Sequence, residues 1–345
     1  MNGFLDRIGI EHPIILAPMA GGPGSPELIA AVANAGGLGS HGAAYMTPDE
    51  IRRSVAKIRA LTSRPLNINL FAGGYHSGAF GDPAPMLAIL ARVHERLGIE
   101  PPVMPAPQSN PFDEQLEVVL ELKPRVFSFT FGNPDTKRVR DAGIVVIGTA
   151  TTADEARLLA PNVDAVVAQG AEAGAHRGTF AGSFEESMVP TLDLVSQIRS
   201  SVDIPVIASG GLMDGADIAA ALDRGAIAVQ LGTAFVACAE SGAADSYKRA
   251  ILDAKRDTTV ITRAYSGRHA RGLHNEFIDM VPESAILPFP IQNSLTRAMR
   301  KKGDPRFLSL WAGSGVTRAR AMPAAELMAI LVEELGKAST PQLAG

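Results

Sequence analysis

A chain of 345 residues is long enough for one large barrel with an appended lobe, and its 46% hydrophobic and 20% charged residues lie far from the composition of disordered chains. Lys and Arg number 32 against 36 Asp and Glu, a net charge of −4, and no basic cluster alternates with aromatics, which sets aside nucleic acid and anionic membrane as partners. The single cysteine, Cys238, excludes an internal disulfide and fits a reducing cytoplasm.

The opening MNGFLDRIGIEHPIILAPMA has only Arg7 as an early cation, and Pro13 and Pro18 break its apolar run, unlike a signal peptide. No apolar run reaches the roughly 18 residues of a membrane span, so a cytoplasmic protein is expected. Short apolar runs then alternate with helix-patterned segments, the mark of βα units around a parallel sheet. Strands are expected at residues 14–18, 38–41, 66–71, 126–131, 145–148, 165–169, 206–209 and 228–231. Several are almost continuously apolar, as strands covered on both faces by crossover helices must be. Helices are expected at 48–61, 154–159, 192–202 and 215–224, with Thr152 and Glu155 at capping-box spacing before the second.

Residues 73–111, rich in Gly and Pro around a helix at 85–97, form an insertion after the third strand. Cys238 lies in the apolar FVACAES, where a buried structural thiol is a better reading than a nucleophile. Beyond residue 240 the βα rhythm stops, and mixed helix and loop lead to a last helix near 324–335. The expected fold is therefore an α/β (β/α)8 TIM barrel over 1–240, with a smaller C-terminal mixed lobe, 241–345, over the barrel mouth. An open doubly wound sheet is the rival. Its dinucleotide fingerprint would fall in APMAGGPGSPE, where Gly22 and Gly24 fit but Glu27 replaces the third glycine and Pro23 and Pro26 interrupt the helix start.

In such barrels the loops after the seventh and eighth strands commonly hold a phosphate, because backbone N–H groups converge there. Here IPVIASGGLMDG places Ser209, Gly210 and Gly211 after the seventh strand, and AIAVQLGTAF places Gln230, Leu231, Gly232 and Thr233 at the eighth. Tight turns alone would explain one such cluster less awkwardly than two. Phosphosugars, nucleotides and FMN would all suit the site.

After the sixth strand, AVVAQGAEAGAHRGTF gathers Gln169, Glu172, His176 and Arg177 among glycines. A glycine-rich loop is costly in chain entropy, and close approach to a flat ligand is the evident reason for one. His176 is thus a candidate base or hydrogen-bond donor, with a surface histidine held by Glu172 as the other reading.

The blocks APMAGG, LNINLF, QGAEAGAHRG and SGG…QLGT, with RAYSGRHARGLHNEF, FPIQNSLTRAMR and SLWAGSGV in the second lobe, together resemble the bacterial nitronate monooxygenases, formerly called 2-nitropropane dioxygenases. The resemblance spans essentially the whole chain. It implies an FMN cofactor: Asn69 hydrogen-bonding the flavin, Gln169 and Gly174 lining it, Met19 near the ring, and Ser209, Gly210, Gly211, Gln230, Leu231, Gly232 and Thr233 around its phosphate. His176 matches the family's active-site histidine, and no metal is implied. One departure stands out: the family's EAGGH is EAGAH here, with Ala175 replacing a glycine.

The implied activity is oxidation of a small alkyl nitronate by O2 to a carbonyl compound and nitrite, through a flavosemiquinone, by a monomer or homodimer. FMN-dependent enoyl-acyl-carrier-protein reductases and NADH:quinone reductases carry an EAGGH-like loop and give the alternative, an NAD(P)H reductase. A barrel that binds flavin or phosphate without turnover is a further one. Gln169, where an acidic residue would be expected of a reductase, and Arg177, where an apolar one would be, favour the nitronate reading. Arg177, Tyr265, Arg268 and Arg271 either supply positive potential or fasten the lobe by ion pairs. Trp311 either covers the flavin edge or packs.

Overall fold

Eight of the strands close on themselves. A computed structural model describes residues 3–75, 78–106, 108–255 and 259–338. Its strands are β1 (Ile14–Leu16), β2 (Gly39–Gly42), β3 (Leu66–Phe71), β4 (Val126–Thr130), β5 (Val145–Ala150), β6 (Ala165–Gln169), β7 (Ala175–His176), β8 (Val206–Ser209), β9 (Ala228–Leu231), β10 (Thr259–Thr262) and β11 (Ala270–Leu273). β1–β6, β8 and β9 form one parallel sheet in the order β1-β9-β8-β6-β5-β4-β3-β2. A parallel bridge from Ile15 to Leu38 joins its two ends into a barrel. The first strand is shorter than the 14–18 expected because Pro18 has no N–H with which to extend the ladder.

Alternation along each strand sorts the barrel into inside and outside. Ile68 and Leu70 of β3 pack outward with Ile51, Val55, Ile58, Leu116 and Val119 of the surrounding helices, whereas Asn67, Asn69 and Phe71 alternate with them. The interior is apolar at the N-terminal end, where Ile15, Leu38, Val126, Val145, Ile147, Val167, Ile207 and Ala228 cluster with Phe4 and Ile8 of the helix Gly3–Ile8. It turns polar toward the C-terminal end. Asn67 Nδ2 donates to Ser40 Oγ (3.1 Å) and Ser128 Oγ (2.9 Å), and Asn69 Nδ2 to Ser128 Oγ (2.9 Å). This gradient places buried polar inward groups toward the C-terminal mouth of the barrel.

The helices start where the sequence offers caps. Thr47 and Glu50 form a full capping box with Pro48 in the first turn. The box expected at Thr152 and Glu155 is only half made: Thr152 Oγ accepts from Glu155 N–H at 3.1 Å, but the Glu155 carboxylate turns elsewhere, as described below.

The lobe is built on a three-stranded antiparallel sheet, β10-β11-β7. Its edge strand, β7, belongs to the loop after β6, with His176 opposite Ala270 and Ala175 opposite Arg271. The inserted helix Ala84–Leu97 contributes Met86, Ile89, Leu90 and Val93 to the lobe's own core, beside Tyr265, Phe277, Leu295, Met299 and Phe307. The last helix, Ala324–Ala338, instead places Leu327, Met328 and Leu331 in the barrel core. Among the described residues no helix is long and apolar enough to cross a membrane.

Candidate active site

His176 sits where the lobe sheet meets the barrel mouth. Phe71, Phe131, Phe289 and Trp311 surround its ring, with centroids 6.3, 6.0, 6.3 and 5.8 Å away. Its Nε2 lies 2.9 Å from Ser266 Oγ. Burial first, and then the charges of Arg268 and Arg300, lower its pKa to about 3, so the imidazole is neutral at any working pH. Glu172 does not hold it, contrary to the second reading above. That carboxylate accepts from Thr191 N–H (2.9 Å) and Thr191 Oγ (2.7 Å), at the first residue of the helix Thr191–Arg199, where an anion is favoured by unpaired N–H groups.

Gln169, at the end of β6, clamps the chain on either side of Arg177. Its Nε2 donates to the His176 carbonyl (3.0 Å) and its Oε1 accepts from Gly178 N–H (2.7 Å). Arg177 is 2% exposed and turns inward, donating to the carbonyls of Gly170 (2.6 Å), Gln169 (3.0 Å) and Ser187 (2.8 Å). Glu155, fully buried, takes the N–H groups of Phe180 (2.6 Å) and Ala181 (2.9 Å) on one oxygen, and Thr151 N–H (2.6 Å) and Oγ (2.7 Å) on the other. The loop carrying His176 is therefore held at both ends by barrel side chains, Gln169 and the buried Glu155.

Among the described residues these arginines make no ion pairs. Arg268 donates to Thr179 O (2.9 Å) and lies 3.9 Å over the Phe131 ring. Arg271 donates to Ala171 O (3.0 Å), and Arg300 to Asn293 O (2.7 Å) and Oδ1 (2.9 Å). Of the two alternatives for this group, the ion-pair one needs revision: Arg268 and Arg271 fasten the lobe by guanidinium-to-carbonyl bonds. Burial pulls the pKa of Arg268 to about 10 and raises the phenol of nearby Tyr45 to about 12. Tyr265 is not a pocket donor, since its hydroxyl donates to Asn275 Oδ1 at 2.7 Å.

The residues expected around a phosphate lie on β8, β9 and the turns that follow them. Gln169, Ser209 and Gln230 are in register on adjacent strands, and Ser209 Oγ donates to Gln230 O at 3.1 Å. Gly210 and Gly211 have φ of 131° and 72°, which glycine tolerates best. Thr233 Oγ accepts from Gly313 N–H (2.9 Å), its own proton meeting no acceptor among the described residues, and Ser314 N–H donates to Glu172 O (3.0 Å). At Gly174 an added Cβ would fall 2.6 Å from Gly313 N, so glycine there is a packing requirement. Leu231 contributes only backbone, its side chain lying in the barrel–helix core. Met19 and Asn69 share no hydrogen bond with the others among the described residues. Met19 is placed by Gly42, where a Cβ would meet its carbonyl carbon at 2.9 Å.

The family model for nitronate monooxygenase matches residues 3–334. This chain belongs to the nitronate monooxygenase family. A nitronate monooxygenase from Paraburkholderia phytofirmans is 42% identical, with 99% of this chain and 97% of that protein covered. Among solved structures, nitroalkane oxidase from Streptomyces ansochromogenes superposes with a TM-score of 0.90 at 40% identity, covering 97% of this chain and 98% of that one. FabK from Thermotoga maritima superposes with a TM-score of 0.78 at 30% identity, covering 98% and 96%. As a nitronate monooxygenase family member the chain is an oxidoreductase.

Ala175 stands where the family's EAGGH loop has its second glycine. Its φ is 62°, the left-handed region that glycine enters freely and alanine at about 1–2 kcal/mol. Alanine at this φ stores that strain in the loop. Phe131, another non-glycine residue at positive φ (70°), lies against the same histidine, and strained backbone of this kind gathers at functional sites. Sequence reasoning missed Ser266, Arg300, Phe131 and Glu155. Ser266 and Arg300 lay inside the quoted blocks, but nothing in their spacing tied them to His176.

Proposed function

We propose that this enzyme is an FMN-dependent nitronate monooxygenase that oxidises small alkyl nitronates with O2 to a carbonyl compound and nitrite, in the cytoplasm, as a monomer or homodimer. The observation that carries the reading is a neutral His176 among aromatic walls, beside Arg268 and Arg300, which have no carboxylate partner within ion-pair distance among the described residues. Positive charge without a counter-ion in a half-buried pocket favours a small anion.

The residues present fit FMN. Gln230 faces the mouth with a side-chain amide that has no partner among the described residues, and the N–H groups of Gly211, Gly232 and Thr233 likewise meet no acceptor there. A Cβ at Gly232 would find only Ala17 Cβ, at 3.4 Å, so the backbone is open to a phosphate. In this reading Ser209, Gly210, Gly211, Gln230, Leu231, Gly232 and Thr233 hold the phosphate, while Met19, Asn69, Gln169 and Gly174 lie along the ring system. FMN, when bound, supplies the one-electron redox chemistry. The protein's part is positioning and electrostatics: Arg268 and Arg300 attract the nitronate, the aromatic walls exclude water, and His176 is the catalytic group facing it.

The likeness to FabK favours a second reading, a flavin reductase using NAD(P)H. One set of measurements separates them. The purified protein should be yellow, release FMN on denaturation, and form nitrite from an alkyl nitronate and O2, with little reduction by NADH or NADPH. Rapid NAD(P)H reduction coupled to enoyl-thioester turnover, without nitrite, would transfer the assignment to the reductases.

A further inference from the structure

We infer that Ser266 sets the tautomer of His176, placing the ring proton on Nε2 and leaving Nδ1 as a bare acceptor toward the substrate. The inference rests on the nitronate reading for its chemistry but on hydrogen-bond counting for its geometry. Ser266 is 1% exposed, so its hydroxyl is satisfied within the protein or not at all. Three groups surround it: His176 Nε2 at 2.9 Å, the Arg268 carbonyl at 3.2 Å and the Arg268 N–H at 3.3 Å.

A hydroxyl has one proton to give and two lone pairs to receive. The Arg268 carbonyl can only accept, and the Arg268 N–H can only donate. All three contacts are satisfied together in one arrangement, in which Ser266 donates to the carbonyl and accepts from both Arg268 N–H and His176 Nε2–H. The opposite tautomer would turn the serine proton toward Nε2 and leave two oxygens facing each other at 3.2 Å without a proton between them. His176 Nδ1 has no partner among the described residues and, unlike the unpartnered atoms of the interior, is not sealed from solvent.

A bare Nδ1 is suited to receiving a proton from a neutral nitroalkane. The α C–H bond breaks, Nδ1–H forms, and the electron pair moves onto the nitro group as the nitronate. The imidazolium then keeps its Nε2–H on Ser266. Arg268 and Arg300 are the charged groups whose fields reach the ring. They oppose the imidazolium but favour the nitronate formed beside it. Ser266 is thus a positioning residue, and its influence belongs to the proton-transfer step rather than to the oxidation of a nitronate supplied ready-made.

The test is 15N NMR of histidine-labelled holoenzyme, with His176→Asn used to assign the resonance. The wild type should show a protonated Nε2 and an unprotonated Nδ1 between pH 5 and pH 8. In Ser266→Ala the ring should show a mixture of tautomers, and kcat/KM for a neutral nitroalkane relative to its nitronate should fall about ten-fold or more. Ser266→Thr, which keeps the hydroxyl, should restore the single tautomer and the ratio. A protonated Nδ1 in the wild type overturns the inference, as does an equal loss on both substrates in Ser266→Ala with flavin fully bound. If Ser266→Ala does not fold, the wild-type spectrum decides alone. An Nε2–H tautomer in an enzyme that makes no nitrite would leave the tautomer assignment standing and remove the nitronate reading.

Discussion

Gln169 holds the backbone of His176 from below, with its amide nitrogen 3.0 Å from the His176 carbonyl and its amide oxygen 2.7 Å from Gly178 N–H. A primary amide is the side chain that can donate to one and accept from the other at once. Gln169→Leu should remove both bonds and leave two backbone groups unsatisfied, lowering stability by about 1–3 kcal/mol and nitrite formation with it. Gln169→Glu keeps the acceptor for Gly178 but sets a carboxylate against a carbonyl oxygen and adds negative charge at the mouth, so KM for a nitronate should rise. Urea denaturation and steady-state nitrite assays check both. An unchanged Leu variant would remove the clamp from the account.

Ala175→Gly should stabilise the protein by about 1 kcal/mol. Alanine at φ 62° carries left-handed strain that glycine does not, only partly offset by glycine's greater freedom in the unfolded chain. Ala175→Val should do the reverse and by more, since a β-branched residue fits that region worst. The two melts, compared with wild type, must move in opposite directions.

The barrel was legible because its strands are buried on both faces and so appear as apolar runs with glycine and proline between them. β7, β10 and β11 were not. ARGL and TVIT have no alternation long enough to register, and the two residues of β7 form a strand only because β11 lies alongside. At 210 and 211 the positive φ values call for glycine on backbone conformation alone. Glu155 was misread because local spacing suggested a capping box, while the long-range N–H groups of Phe180 and Ala181 outbid Thr152 for its carboxylate. Ser266 meets His176 across 90 residues, a distance over which periodicity carries no information.

His41 should make the protein acid-sensitive. It is 2% exposed, neither ring nitrogen has a partner among the described residues, and burial lowers its pKa from 6.5 to about 4. A depressed histidine adds stability that is complete above pH 6.5 and is lost as pH falls toward about 4, because the unfolded state takes up the proton first. The loss is on the order of 3 kcal/mol at full titration. His41→Leu, which needs no partner, should flatten the fall in unfolding free energy between pH 7 and pH 4 relative to wild type. Parallel curves for the two proteins would mean that His41 is not buried neutral.

His176→Asn should separate the two roles a neutral imidazole can play. Asparagine is not basic, so the ratio of kcat/KM on a neutral nitroalkane to that on its nitronate should fall by about a hundred-fold. FMN content should stay near one per chain, because the phosphate contacts proposed above come from β8, β9 and the turns after them. Equal loss on both substrates would assign the histidine to binding instead.

Arg268 is the cation best placed to act on an anion at the mouth. Its guanidinium lies 3.9 Å over the Phe131 ring, donates to Thr179 O at 2.9 Å, and pushes the His176 pKa down. Stacking and the carbonyl bond fix its position without neutralising it, so its field remains available to a substrate. Arg268→Met should therefore raise KM for an alkyl nitronate by about ten-fold or more, while the KM of the uncharged nitroalkane changes much less. The His176 pKa should rise in the same variant, because one of the two arginines opposing its protonation is gone. Arg268→Lys keeps the charge but loses the planar fork, and should fall between the two. If the methionine variant weakens both substrates equally with FMN fully bound, Arg268 serves only to fasten the loop through Thr179, and the positive potential must come from Arg300.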